Sequence, residues 1–312
     1  MAWITRAGER LPSDEENRQL SFLYGTRLGR CLIHLLIRPW VSKAVGKILD
    51  GRMSRCLIGR FVRKNKIDLT QYESRTYRSF NDFFTRAIRP ELRPVDREPD
   101  HLIAPCDGKL SVYSVAEGGG KEAEFFVKGR NYTLTELLRD EALAAKYAGG
   151  TLLLFRLTVD DYHRYAYIDD GEISAQTFIP GVFHTVQPIA GERYPIYREN
   201  SRAYAVLRSE IFGDVLVMEV GAMLVGRIVN APGGCRVTRG EEKGRFEFGG
   251  STVIVCLEPG RADLDADLMA NTAAGHETVV KLGEKIGAAA EGASAAGAML
   301  AAETVGAHRA GF

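Results

Sequence analysis

The hydrophobic pattern of this chain changes from a helical period to a sheet period at about residue 101. Between residues 21 and 66, apolar side chains recur at three- and four-residue spacing, which predicts amphipathic helices. Apolar or alternating runs typical of strands occupy residues 151–159, 203–207, 214–220 and 251–256. We therefore expect an α+β protein in which an N-terminal helical layer lies on a β-rich core.

The same pattern divides the chain into three parts. Residues 1–75 are expected to form basic amphipathic helices, and residues 76–287 the core, whose main helical pattern lies at residues 134–148. Residues 288–312 are rich in Ala and Gly and have few large apolar side chains, so they can bury little surface. We expect this last part to be a dispensable or disordered tail.

Positive charge is concentrated in the helical part. Residues 21–66 contain eleven Lys and Arg but one acid, Asp50, although the whole chain has a net charge of only +1. A basic amphipathic helix can lie in the headgroup region of an anionic membrane. The alternative is a helix that packs on the core and leaves its basic face in water. Nucleic-acid binding is not expected, because recognition motifs and interleaved aromatic residues are missing.

The cysteines and the N-terminus indicate the compartment. Five scattered cysteines without Cys-x-x-Cys spacing favour a reducing environment and argue against a zinc site or a disulfide framework. The N-terminus lacks the apolar stretch of a signal peptide, and no run reaches the roughly 18 apolar residues of a membrane span. The sequence thus predicts no metal, and a protein that is either soluble or bound at a membrane surface.

The most distinctive local feature is Gly249-Gly250-Ser251-Thr252, which leads directly into the apolar run Val253-Ile254-Val255. Gly250 has no Cβ, so its carbonyl is open to approach by the Ser251 hydroxyl. This arrangement suits an intramolecular attack by Ser251 on the preceding peptide bond. Taken alone, the stretch is more typical of a Gly-rich hairpin that enters a buried strand.

Six further motifs accompany this turn in a fixed order. They are Phe-Asn-Asp-Phe-Phe-Thr-Arg at 80–86 with Arg-Pro-Val-Asp at 93–96, Pro-Cys-Asp-Gly at 105–108, Asp-Tyr-His-Arg at 161–164, and the segments 183–190, 220–226 and 277–283. Together they resemble the phosphatidylserine decarboxylase family, whose members are pyruvoyl-dependent enzymes made as self-cleaving proenzymes. The resemblance covers about residues 21–287.

The resemblance implies a specific maturation. Ser251 Oγ would attack the Gly250 carbonyl and exchange the amide for an ester, and β-elimination would then cut the chain between residues 250 and 251. Hydrolysis of the resulting dehydroalanine would release ammonia and leave a pyruvoyl group at the start of the chain 251–312. This covalent cofactor would form a Schiff base with the substrate and take up the electron pair left by carbon dioxide.

The resemblance also implies a substrate and a location. Phosphatidylserine in an anionic membrane would be converted to phosphatidylethanolamine and carbon dioxide, by a zymogen-derived lyase of phospholipid biosynthesis. Two chains from one precursor, and a peripheral position on the cytoplasmic face of a membrane, are the corresponding expectations. The sequence leaves open whether the protein forms a homo-oligomer.

The expected catalytic residues are Asp107, His163 and Ser251. A serine needs a general base and the base needs an orienting group, so His163 and Asp107 are expected to act as a pair. The alternatives are an Asx-turn for Asp107 and a structural role for His163. The family commonly has a second histidine at the position of Ala166, so His184 is a candidate second imidazole or a residue that only lines the site.

Two arginines and two other functions complete the expectations. Arg164 and Arg198 can either bind the substrate phosphate or form salt bridges with nearby acids. A family member that decarboxylates a soluble amino acid would have no use for the basic helices. A lipid-surface binding protein that is not processed would fit Ala166, but the intact Asp107, His163 and Gly250-Ser251 argue against it.

Overall fold

The computed structural model describes residues 2–12, 18–117, 123–127, 129–223, 227–247 and 251–291. Gly250 and residues 292–312 of the expected tail therefore lie outside the described residues.

The α-helices are numbered in chain order. They are α1 (Arg18–Gly25), α2 (Arg27–Leu36), α3 (Pro39–Asp50), α4 (Cys56–Lys64), α5 (Phe80–Phe84), α6 (Leu134–Leu138), α7 (Glu141–Ala145), α8 (Pro188–Gly191), α9 (Ile196–Glu199) and α10 (Ala266–Ala273). Short 3-10 helices occupy Arg52–Arg55, Leu69–Gln71 and Pro90–Leu92.

The strands are numbered in the same way. They are β1 (Trp3–Thr5), β2 (Arg10–Leu11), β3 (His101–Ile103), β4 (Gly108–Ser114), β5 (Ala116–Glu117), β6 (Ala123–Val127), β7 (Arg130–Thr133), β8 (Thr151–Leu157), β9 (Arg164–Ala166), β10 (Gly171–Ile173), β11 (Thr177–Ile179), β12 (Arg202–Ser209), β13 (Gly213–Val220), β14 (Arg227–Asn230), β15 (Cys235–Val237), β16 (Glu242–Glu247), β17 (Ser251–Leu257), β18 (Ala262–Leu264), β19 (Glu277–Val280) and β20 (Lys285–Ala289).

One large sheet organises the core. Its strand order is β15-β10-β12-β13-β17-β8-β4-β19-β1-β2, with β11 paired to β12. Smaller sheets of three strands each, β14-β16-β9, β18-β20-β3 and β5-β6-β7, complete the described part of the chain. The four strands predicted from the sequence correspond to β8, β12, β13 and β17, so the β-rich α+β core is confirmed.

The large sheet is buried on both faces. Leu153 and Phe155 of β8 belong to one hydrophobic cluster, the first core, whereas Leu152 and Leu154 belong to another, the second core. Successive side chains of a strand point to opposite faces, so the two cores lie on opposite sides of the sheet. This double burial explains why β8 and β17 are nearly continuous apolar runs.

The predicted N-terminal helices are present as α1 to α4, and one side of them packs on the core. Tyr24, Ile33 and Ile37 belong to the second core, and Leu49 packs with an aromatic cluster formed largely by α5. The stripe Leu28, Leu32 and Leu35, by contrast, faces outward. The helices thus have apolar residues on both sides, which the sequence did not separate.

Three details differ from the sequence expectations. The N-terminal part is not only helical, because β1 pairs in parallel with β19 and extends the large sheet. The helix expected over 134–148 is divided into α6 and α7 at Arg139, which adopts a left-handed conformation with φ of 54°. The expected tail begins inside β20, which pairs with β3 through Ala288 and with β18 through Ala289.

No helix within the described residues is long and apolar enough to span a lipid bilayer.

Candidate active site

Ser251 is the first residue of β17 and lies in the interior of the sheet. It pairs with Leu157 of β8, and the following residue, Thr252, pairs with Val220 of β13. Ser251 is completely buried, and its Oγ has no hydrogen-bond partner. A buried hydroxyl without a partner is unfavourable by about 1–3 kcal/mol. Such a group is a candidate for chemistry, because no structural bond is lost when it reacts.

His163 lies in the loop that begins next to Ser251. This loop joins β8, which ends at Leu157, to β9, and the His163 carbonyl accepts a hydrogen bond from Phe246 N at 2.9 Å. Phe246 belongs to β16, which ends at Glu247 just before residues 248–250. The described residues on the two sides of residues 248–250 therefore lie beside Leu157 and beside His163.

The His163 ring is arranged as a neutral base. Its Nδ1 lies 2.9 Å from the Asp161 carbonyl oxygen, which can only accept, so Nδ1 carries the proton and Nε2 holds the lone pair. Nε2 is buried and has no hydrogen-bond partner. Burial lowers the pKa of His163 to about 4, against the opposing effect of Asp161. The imidazole is thus neutral at pH 7 and can accept a proton at Nε2.

A buried ion pair fixes the loop that carries His163. Lys109 Nζ donates to Asp161 Oδ2 at 2.6 Å and to Thr158 Oγ1 at 2.6 Å, and Thr158 N also donates to Asp161. Burial opposes ionisation of Asp161, but the Lys109 ammonium and these hydrogen bonds hold its pKa at about 2. Asp161 is therefore charged at neutral pH, and its backbone position, which orients His163, is secured by β4.

Asp107 does not form the expected pair with His163. Arg93 donates to both of its carboxylate oxygens, at 2.8 and 2.6 Å, and Leu282 N donates to Oδ1 at 2.9 Å. Lys281 Nζ lies 3.4 Å from Oδ2. The carboxylate is committed to these donors, and the Asp161 backbone takes the orienting position at His163. The sequence could not show these contacts. Arg93 was recognised only as part of the family-like stretch 93–96, and Lys281 is far from Asp107 in the chain.

His184 lies among different residues. Its Nδ1 is 3.2 Å from Tyr24 Oη, its Nε2 is 3.4 Å from Glu199 Oε2, and its ring stacks on Tyr194 at a centroid distance of 4.4 Å. Burial, followed by the charge of His34, lowers its pKa to about 4. Both ring nitrogens have neighbours, one in the helical layer and one in α9. This arrangement is more typical of a structural histidine than of a catalytic one.

Comparison with known proteins identifies the family. A model of the phosphatidylserine decarboxylase family matches residues 80–288. Phosphatidylserine decarboxylase proenzyme 2 of Clostridium acetobutylicum is 44% identical over 274 residues, which cover 87% of this chain and 92% of that relative. The phosphatidylserine decarboxylase proenzyme of Chlamydia caviae is 40% identical over 276 residues, covering 86% and 91%. That of Ruminiclostridium cellulolyticum is 38% identical over 276 residues, also covering 86% and 91%.

The chain belongs to the phosphatidylserine decarboxylase family. The resemblance carried by the sequence motifs is confirmed, and the protein is a decarboxylase of this family made as a proenzyme. The relatives favour neither of the alternative functions that the sequence left open.

Arg86 is a buried charged residue of this decarboxylase, and the sequence indicated it only as the last residue of the motif at 80–86. It is 1% exposed, and its Nη2 donates to Tyr72 Oη at 3.1 Å, but Nε and Nη1 have no hydrogen-bond partner. The guanidinium lies over the rings of Tyr72 and Phe83. Its charge contributes to the lowered pKa of His163. A basic residue two positions after the aromatic pair Phe83-Phe84 was the available signal.

The other two arginines form salt bridges, as the alternative interpretation predicts. Arg164 donates to Glu242 at 2.7 Å and to the Thr85 carbonyl, and Arg198 donates to Glu136 at 2.5 Å. Ala166 is buried in β9, where its backbone N donates to the Pro105 carbonyl at 2.8 Å. In this decarboxylase the residue at the position of the family's second histidine therefore contributes a backbone hydrogen bond between β9 and the Pro-Cys-Asp-Gly turn.

Proposed function

We propose that this chain makes its own pyruvoyl group from Ser251 and uses it to convert phosphatidylserine to phosphatidylethanolamine. The observation that supports this most directly is the pair of unpartnered buried atoms, Ser251 Oγ and His163 Nε2, in residues that are paired with or adjoin the strand ends on the two sides of residues 248–250. A hydroxyl and a neutral imidazole so placed are the reactants that serinolysis requires.

In the proposed maturation, His163 accepts the Ser251 hydroxyl proton as Oγ attacks the Gly250 carbonyl carbon. The amide nitrogen leaves with a proton and an ester forms. Elimination then removes the Ser251 Cα proton and breaks the Cβ–Oγ bond, so the chain 1–250 departs as a carboxylate and residue 251 becomes dehydroalanine. Water hydrolyses the dehydroalanine to the pyruvoyl group and releases ammonia. A positioned base of this kind contributes about 10²–10⁴ in rate.

The residues around Ser251 suit the new chain terminus. After cleavage, residue 251 stays held by the pairing of β17 with β8 and β13, so the group formed from it remains in the buried sheet. Its carbonyl would supply the electron sink for decarboxylation. In this proposal His163 takes a proton from the substrate ammonium and returns it to the α-carbon once carbon dioxide has left.

Reductive trapping tests the cofactor assignment. Cyanoborohydride added with phosphatidylserine should attach the substrate amine covalently to the 251–312 chain and abolish activity. The measurement is the mass of the small chain under denaturing conditions. Omission of the lipid is the control, and it should leave that chain without the added mass. A small chain that begins with an intact serine, in a preparation that decarboxylates the lipid, would contradict the proposal.

We also place the helical layer at a membrane surface, on the cytoplasmic face. Eight of the thirteen exposed large apolar side chains in the described residues belong to the segment 22–57: Phe22, Leu28, Leu32, Leu35, Trp40, Ile48, Met53 and Leu57. A concentration of this kind is typical of an interaction surface. The surrounding basic residues favour an anionic lipid surface, each by about 1 kcal/mol.

Vesicle binding tests this surface. The variant Leu28→Gln/Ile48→Gln/Met53→Gln should bind phosphatidylglycerol-containing vesicles at least about tenfold more weakly, since burial of one such side chain is worth about 1.5–3 kcal/mol. Co-sedimentation measures the binding. Leu69→Gln/Leu92→Gln/Met269→Gln is the matched control, because these side chains are exposed outside the layer. Equal binding by the two variants would mean that the outer face of the helices is simply solvated.

A further inference from the structure

A groove lies between α3 and the end of the large sheet, outside the Ser251–His163 site. It has a volume of about 560 Å³. One wall is a single stripe of α3 at positions 39, 42, 43, 46, 47 and 50, which is the spacing of one helix face. The opposite wall is largely apolar and includes Phe178, Pro180 and Phe183. We call this space the α3 groove.

Two residues that line this groove each have a buried polar atom without a partner. Ser42 is 5% exposed and Asn81 is 6% exposed, and neither Ser42 Oγ nor Asn81 Oδ1 makes a hydrogen bond. The nitrogen of the Asn81 amide does have a partner, because Nδ2 donates to Asp50 at 2.8 Å. Buried polar atoms of this kind normally have partners, so their presence in a cavity indicates a ligand with both acceptors and donors.

The charges along the groove are ordered. Lys43 and Lys47 lie one helical turn apart on the stripe, and no salt bridge is formed by either within the described part of the chain. At the other end are Asp50 and Glu247, the latter paired with Arg227 at 3.2 Å. A ligand that carries a phosphate at one end and an amine at the other would match this order.

One end of the groove lies near the strand that carries Ser251. The groove reaches Ser201, next to Arg202, which pairs with Val220 of β13, and Val220 pairs with Thr252 of β17. Neighbouring strands are about 4.7–4.9 Å apart, so two strand spacings, roughly 10 Å, separate this end from the cleavage strand. The amine of such a ligand could thus approach residue 251 while the phosphate of the ligand stays outside the Ser251–His163 site.

We propose that the α3 groove binds the glycerophosphate part of the phospholipid substrate, with the phosphate at Lys43 and Lys47. Ser42 Oγ donates to a phosphate oxygen, and the apolar wall covers the glycerol ester region. This inference rests on the proposed function for its substrate. It explains why α3 has small residues, Ser42 and Gly46, on its inner face.

Filling the groove is the direct test. A Cβ added at Gly46 has no atom within 4 Å, so Gly46→Leu should fold, with its side chain in the groove. For monomeric dihexanoyl phosphatidylserine, kcat/KM should fall at least about tenfold, a difference of about 1.4 kcal/mol. Self-cleavage should remain complete and the melting temperature should not decrease. Wild-type kcat/KM in Gly46→Leu would overturn the proposal.

Gly59→Leu is the matched control, because Gly59 is an exposed glycine of α4 whose added Cβ meets only the end of the Arg63 side chain, at 3.6 Å. It should keep kcat/KM within about twofold of wild type. A second substitution, Lys43→Gln/Lys47→Gln, should raise KM with little change in kcat. An equal loss in Gly59→Leu would assign the effect to the helical layer in general and overturn the groove.

A binding measurement separates this inference from the proposed function. Calorimetry with dihexanoyl phosphatidic acid on the uncleaved Ser251→Ala chain needs no turnover, and Gly46→Leu added to that chain should abolish the binding. If the wild type fails to decarboxylate phosphatidylserine, the proposed function is wrong while this binding still supports the groove. Displacement of the lipid by inorganic phosphate at the same concentration would instead indicate a free-anion site and overturn the lipid assignment.

Discussion

Replacing Ser251 by alanine should leave a single chain of 34.4 kDa with no decarboxylase activity. Without Oγ no attack on the Gly250 carbonyl is possible, and no pyruvoyl group can form. Because Ser251 Oγ makes no hydrogen bond, its removal breaks no structural interaction, and the variant should fold as the precursor does. Denaturing mass measurement should show this one chain, whereas the wild type should give chains 1–250 and 251–312.

Thr252→Ala provides the matched control. Thr252 is the next residue of β17, is equally buried, and also has an unpartnered hydroxyl, but it points to the opposite face of the sheet. Thr252→Ala should therefore mature and decarboxylate, apart from a modest loss of stability. If Ser251→Ala were cleaved, or if Thr252→Ala failed to mature while still folded, the nucleophile would have to be sought elsewhere.

The elements that sequence analysis predicted are those whose pattern is local. Strands β8 and β17 are recognisable because both faces of the sheet are buried and their apolar residues run without interruption. The N-terminal strand was missed because it is three residues long and its partner is far away in the chain, with Trp3 opposite Glu277. Nothing near Trp3 in the sequence indicates that pairing.

The orientation of the helices was also beyond a local pattern. The stripe of Leu28, Leu32 and Leu35 fits either a membrane or a protein core, and in the structure it is exposed while Ile33 and Ile37 pack inward. A helix with apolar residues on two sides fits either orientation, and only tertiary contacts decide between them. The exposed stripe is consequently the feature that supports the membrane proposal.

The candidate site shows the same limit. Motifs identified Ser251 and His163, but the group that orients the imidazole is a backbone carbonyl, which no motif specifies. Asp107 was expected in that position, yet its carboxylate is taken by Arg93 and by the backbone of Leu282. Such exchanges of partner depend on long-range packing, so residue identity alone could not predict these connections.

Replacing His163 by alanine should stall maturation, whereas replacing His184 by alanine should not. His163 Nε2 has no partner and belongs to the loop next to Ser251, while both nitrogens of His184 face neighbours, Tyr24 and Glu199. Loss of a positioned base slows a reaction by about 10²–10⁴. The rate at which the uncleaved chain disappears, followed by denaturing electrophoresis after synthesis, measures the effect.

The pH dependence alone cannot distinguish the two imidazoles, because burial lowers the pKa of each to about 4. For either base, maturation should be constant at neutral pH and should slow only as the pH approaches about 4, where the protonated ring can no longer accept a proton. The single variants are therefore needed. A melting curve for each variant separates a missing base from a disturbed fold, since the His163 ring also packs on Phe84 at a centroid distance of 4.3 Å.

Hydroxylamine identifies the step that His163 serves. It cleaves esters, so a His163→Ala chain that had formed the ester but failed to eliminate would be cut between residues 250 and 251. We expect no such cut, because the base is needed already for the attack by Ser251. If His184→Ala stalled while His163→Ala matured and then decarboxylated poorly, His184 would have taken over the role of the histidine replaced by Ala166. Normal cleavage in both variants would exclude both imidazoles, and proton transfer would then have to involve Asp107, after release from Arg93.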